Sequence, residues 1–224
     1  MKNILCFSAL VCVTGFHAQN LKDFSVPEGY KQIAEAQGDL DKDGKAETVL
    51  IFNTDIKSNL NDREDFPRTL FILKNIDGRQ KIWQESKTFL VSSGTGFYAE
   101  SNSPPEISIK NNSLTITQIF NTNSRHTQTY KHTFRFQNGD FYLIGSHSRF
   151  EDTCDFNDLN EINFSTGKVI IDYERSSCDD EEKDIPKDYH KEFTHQFKTL
   201  IKMNKFRIGE NKFKIPGSDK EIYY

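Results

Sequence analysis

The chain has 224 residues and a formal net charge of −4; aromatic side chains make up 12%, with 19 Phe against 2 Met. Mild acidity argues against a nucleic-acid partner, because phosphate binding is driven by an excess of Lys and Arg. The wealth of Phe, Ile and Thr favours strands over helices, and the length suits one domain or two small β units with a sizeable core.

Residues 1–19 read as a signal peptide. Lys2 supplies the positive start, Ile4 to Phe16 the apolar run, and Phe16-His17-Ala18-Gln19 a cleavage zone. An apolar run of about 13 residues is too short to span a bilayer. Val11 is a poor neighbour for a lipidated Cys12. The expectation is a secreted or periplasmic protein with no membrane span after signal removal. Residues 20–224 then form a single β-rich domain. Loss of the signal takes Cys6 and Cys12 and leaves Cys154 and Cys178. In an oxidising compartment such a pair is most simply one disulfide.

Along the mature chain, strand signals recur at short spacing, bounded by turn residues. Tyr30 to Ala36 and Thr48 to Phe52 flank an acidic loop and form a hairpin near 30–52. Thr54 to Pro67 is polar, without periodicity, and reads as a long exposed loop. Thr69 to Lys74 and Gln80 to Gln84 flank Asp77-Gly78, and a further strand is expected over Thr88 to Ser92. Glu106 to Lys110 and Ser113 to Phe120 flank Asn111-Asn112. In Tyr130 to Phe136 the larger rings alternate with Lys131, Thr133 and Arg135, the period of a half-buried strand. Asn138-Gly139 and Thr166-Gly167 mark the next two hairpins, the latter between Glu161 to Phe164 and Lys168 to Tyr173. Asp179 to Asp184 is an acidic solvated loop. Phe193, Phe197, Leu200 and Ile201 fall at roughly helical spacing. One short helix over Asp188 to Met203 is therefore expected, in competition with a strand near Thr199 to Met203. The fold class is mainly β: an antiparallel meander or sandwich, or a partial-propeller-like sheet.

The loop at Gly38-Asp39-Leu40-Asp41-Lys42-Asp43-Gly44-Lys45-Ala46-Glu47 carries the chain's chemistry. Oxygen donors at every second position followed by Gly suit a hard divalent cation, and Ca2+ is the expected ion. Asp39, Asp41 and Asp43 offer carboxylates, Lys45 a backbone carbonyl, and Glu47 a last carboxylate or a water contact. A helix–loop–helix calcium site needs an acid at position twelve, which is Leu50 here, and the flanks read as strands. The segment instead resembles the D-x-D-x-D-G-x-x-D loops of FG-GAP and VCBS-type repeats, as in integrin-like propellers, where the loop joins two strands. Glu47 stands where that pattern has Asp. The stretches Val26 to Tyr30, His132 to Asn138, Phe141 to Gly145 and Asn163 to Lys168 also resemble segments of secreted bacterial proteins with one such loop. The resemblance implies a fold and an ion, not a reaction.

Signals for catalysis are weak. The histidines show no metal-ligand spacing, with His190 and His195 five apart. Ser165 and Lys168 match S-x-x-K by letter only, since Thr166-Gly167 reads as a turn and not a helix start. The expected function is an exported calcium-binding, non-catalytic binding or envelope module. The alternatives are a secreted hydrolase whose carboxylates converge in the fold, and a periplasmic inhibitor or immunity-type protein with a protein or glycan partner.

Overall fold

The computed structural model describes residues 21–60, 63–98, 103–179, 181 and 184–224. The expected signal peptide lies outside them. The described chain is mainly β, and all its strand pairs are antiparallel. The strands are β1 Lys31–Gly38, β2 Glu47–Asn53, β3 Ser58–Leu60, β4 Arg63–Asp65, β5 Arg68–Ile76, β6 Arg79–Ser86, β7 Glu106–Lys110, β8 Ser113–Asn121, β9 His126–Gln137, β10 Asp140–Asp152, β11 Phe156–Asn163, β12 Lys168–Arg175, β13 Tyr189–Thr194, β14 Lys212–Lys214 and β15 Glu221–Tyr223. They form a four-stranded sheet in the order β1-β2-β5-β6 and a seven-stranded sheet running β7 to β13 in chain order, with two small ribbons, β3-β4 and β14-β15.

Both large sheets are meanders, and three of their tight turns are built from residues that tolerate a positive φ. Asp77-Gly78, Asn111-Asn112 and Asn138-Gly139 each place two such residues in succession, the backbone that two-residue hairpins need. Inward-facing side chains of both sheets share one core. Val49, Ile51, Leu70 and Ile72 from the first sheet pack with Leu114, Ile116, Phe134, Leu143, Ile162 and Val169 from the second. The C-terminal segment closes that core with Met203, Phe206, Phe213 and Ile215. Strands β2 and β5 are apolar on both faces. Their outward Leu50, Phe52, Phe71 and Leu73 are covered by Phe24 and Tyr30 of the N-terminal segment. That segment is held by Phe24 N–H donating to Gln80 O and Ile82 N–H donating to Lys22 O, both at 2.9 Å.

Three expectations are corrected. Asp188 to Met203 is not a helix: residues 189–194 pair with β12 as the seventh strand, with Phe193 opposite Val169. The chain then runs irregularly to a short 3-10 turn at Met203–Lys205. The open edge of β12 supplies backbone partners that local periodicity cannot outweigh. The competing strand near Thr199 to Met203 reduces to a single bridge between Tyr142 and Lys202. Thr88 to Ser92 is a connecting segment that buries Phe89, tied down by Gln118, which accepts from Val91 N–H at 2.8 Å and donates to Phe89 O at 3.1 Å. Finally, Thr54 to Pro67 is not simply an exposed loop. It contains β3 and β4, and Thr54 and Asp65 are buried, the latter accepting from Gly94 N–H at 2.7 Å.

Candidate metal centre

The acidic loop joins β1 to β2, and its own side chains fold it. Asp39 turns its carboxylate back on the loop, accepting from Lys42 N–H at 2.6 Å and Gly44 N–H at 3.1 Å. Asp43 accepts from Lys45 N–H at 2.8 Å. Gly44 has φ +81, which a side chain would strain. Leu40, between the first two acids, is 1% exposed and belongs to the main core, so the loop is anchored from beneath. From the second sheet, Asn112 Nδ2 donates to Asp39 O at 2.8 Å.

This folding brings together one carboxylate oxygen each from Asp39, Asp41 and Asp43, all within 4.8 Å of one another. Asp41 Oδ1 is buried and has no hydrogen-bond partner among the described residues. Lys45 contributes its N–H to Asp43, and Glu47 lies outside the group of three. Glu47 is 1% exposed, and its Oε2 accepts from Leu40 N–H at 2.8 Å, so it holds the loop's shape from below. Burial pushes its carboxyl pKa up, Asp41 and Asp43 reinforce that rise, and the Leu40 N–H and Lys74 oppose it.

The sequence reading missed the cation that the fold itself delivers. Lys74, at the far end of the apolar run of β5, places its ammonium on Asp41 Oδ2, 3.0 Å from Asp43 Oδ2 and 3.7 Å from Glu47 Oε1. The same ammonium lies 5.0 Å from the ring centroid of Trp83 on β6. Burial alone would push the Lys74 pKa down; the hydrogen bonds to Asp41 and Asp43 outweigh it and the net direction is up. The hydrogen bond from Lys74 in turn leads the lowering of Asp43. Lys74 is distant in sequence and comes beside the loop only through the β2–β5 register, in which Thr48 faces Leu73.

The donor set fits a hard divalent cation. It is three carboxylates with one buried, unsatisfied oxygen among them, on a rigidly capped loop. Asp39, Asp41 and Asp43 would be the residues to hold it, and Lys74 would be the group to give way.

A second group of potential ligand atoms, on Asp152, Cys154, Asp155 and Cys178, has a different explanation. Cys154 and Cys178 form the disulfide expected from the cysteine count, with Cα atoms 5.2 Å apart. Arg125 neutralises the acids, with Nη2 2.7 Å from Asp152 Oδ1 and 2.6 Å from Asp155 Oδ2. Burial would raise the Asp152 carboxyl, but N–H donors from Cys154 and Asp155 together with Arg125 hold it well below the usual carboxylate range.

Comparison of the chain with protein-family models, with characterised proteins and with solved structures returns no match.

Proposed function

We propose that this chain is an exported β protein stabilised by Ca2+ at Asp39, Asp41 and Asp43, acting as a non-catalytic binding or envelope module. The observation that carries the reading is the convergence of those three carboxylates, with Asp41 Oδ1 buried and unpartnered among the described residues. A bound calcium ion would supply the positive charge that three crowded carboxylates require. The likeness of the loop to FG-GAP and VCBS-type loops supports the choice of ion. The Cys154–Cys178 disulfide supports export, since such bonds persist in oxidising compartments, where calcium is plentiful.

The role assigned to the ion is structural. It ties β1 to β2 at their loop end and holds Asp39, Leu40 and Asp43 in register with the core. Lys74 keeps the ion-free loop partly neutralised, so the ion-free protein is expected to be folded but less stable. At about 100 times the dissociation constant, ligand binding stabilises by about 2.7 kcal/mol, or roughly 5–11 °C in Tm for a chain of this size. The test is the Tm of the mature protein in EDTA and in calcium, beside the Asp41→Asn/Asp43→Asn double variant. A calcium-dependent rise confined to the wild type supports the site. No rise in the wild type removes it.

A further inference from the structure

The outer face of the seven-stranded sheet carries a hollow of about 460 Å³ across β9 to β12, away from the acidic loop. Two features of the strands create it. Ile144 is an extra residue in β10, where the pairing with β9 slips between Leu143 and Gly145. Such a bulge bends the strand and redirects a side chain, and Ile144 lines the hollow. The next residue, Gly145, faces Thr133 on one side and Asn163 on the other, and its missing side chain leaves the floor open.

One cross-strand row forms the wall. Lys131 faces His147, His147 faces Glu161, and Glu161 faces Ile170. The ionisable groups lining the hollow have hydrogen-bond or ion-pair partners, with one exception. His147 Nδ1 lies 2.9 Å from Glu161 Oε1, and Lys168 Nζ lies 3.0 Å from Glu192 Oε1. Lys131 is exposed and has no ion pair or hydrogen bond among the described residues. Lys131 therefore lines, unpaired, a hollow with apolar walls from Ile144 and Ile170, within the volume range of small-molecule sites.

We infer that this hollow binds a small organic carboxylate with an apolar body, its carboxylate on Lys131 and its body against Ile144 and Ile170. A carboxylate gives Lys131 the partner it lacks. A neutral ligand leaves Lys131 as it was, and a cation meets it with repulsion. This inference is independent of the calcium reading.

The probe is hexanoate, with hexanamide as its uncharged counterpart, titrated into the calcium-loaded mature protein and followed by 15N–1H NMR. A ligand of this size is expected to bind with Kd of about 1 mM. Saturable shifts should cluster at the amides of Lys131, Thr133, Gly145 and His147. Hexanamide should bind at least fivefold more weakly, as should hexanoate to Lys131→Met. A Cβ at Gly145 would sit 3.5 Å from Thr133 Cβ, an ordinary contact, so Gly145→Val is expected to fold with the hollow filled and the shifts lost. The inference is overturned if hexanoate produces no saturable shifts at these amides. It is equally overturned if hexanamide matches hexanoate, or if Lys131→Met or a folded Gly145→Val binds as the wild type does.

Discussion

Lys74 and His132 each hold a charge state that their neighbours fix. Lys74 offsets acids from the loop, and its side chain is only 20% exposed while that of Asp41 is 16% exposed. Replacing it with Met keeps the stem over Trp83 and removes the charge. Breaking a partly buried ion pair from one side leaves the other side uncompensated, and about 1–3 kcal/mol of stability should be lost in EDTA. Calcium should restore more stability to Lys74→Met than it adds to the wild type. Trp83 is the single tryptophan, so its fluorescence should report Lys74 leaving the ring when calcium binds. A Lys74→Met protein as stable in EDTA as the wild type would show that the ammonium contributes nothing there. His132 is 1% exposed, between Tyr130 and Phe206, and its Nδ1 has no partner among the described residues. Burial pushes its pKa down to about 3, so the folded state holds it neutral while the unfolded chain takes a proton near pH 6.5. Its contribution is complete above pH 6.5 and is lost as pH falls from there towards 3, at about 1.4 kcal/mol per pH unit. The wild type should therefore lose about 2–3 kcal/mol more than His132→Phe between pH 6.5 and 4.5, measured by denaturant unfolding. Parallel slopes would mean that the imidazole is hydrated in the fold.

At the scale of elements, the β11–β12 hairpin shows how disulfide and pairing act together. Its outermost described pair is Phe156 with Arg175, and Cys154 and Cys178 clip the chain just beyond it. The chain-entropy model assigns a loop of about 25 residues roughly 3.5 kcal/mol. Cys154→Ser/Cys178→Ser should lower Tm by about 7–14 °C. The β11–β12 register should survive, because Arg175 also reaches Asp158 and Arg125 also bridges Asp152 and Asp155. A drop of only a degree or two would show those ion pairs already closing the loop. The hairpins were legible in the sequence because their information is local. Asp77-Gly78, Asn111-Asn112 and Asn138-Gly139 ask for left-handed backbone, and alternation in Tyr130 to Phe136 names the buried face. Strand β13 was misread because its state depends on the free edge of β12, which no local window contains. In the candidate metal centre, Asp39, Asp41 and Asp43 were legible from spacing alone. Lys74 and the hollow beside Gly145 were not, since both exist only through cross-strand register.

At the scale of the molecule, the two sheets meet at their end strands, β1 of the first and β7 of the second. An exposed strand edge invites association with other chains, and here each end strand shields part of the other. Gly38 is a point of close approach: a Cβ there would lie 2.6 Å from Ile109 Cγ2 and 3.0 Å from Ile109 Cβ. Ile109 is packed against the main core and cannot move aside freely. Gly38 is also the residue before Asp39, and Asn112 Nδ2 reaches Asp39 O from the turn after β7. The seam between the sheets therefore sets the position of the acidic loop. Gly38→Val should force the sheets apart by about 1 Å at this point, since ordinary contact begins near 3.4 Å, costing about 1–3 kcal/mol as overpacking does. If the seam couples the sheets, amide hydrogen exchange should quicken in β7 as well as in β1, and the calcium-dependent rise in Tm should shrink although no proposed ligand has changed. Asn112→Gly removes one tie without a clash and keeps the positive φ of the turn, and should weaken the calcium response while leaving exchange in β1 and β7 close to that of the wild type. Exchange that quickens in β1 alone would mean that the sheets open independently and that the loop takes its geometry from the β1–β2 hairpin by itself.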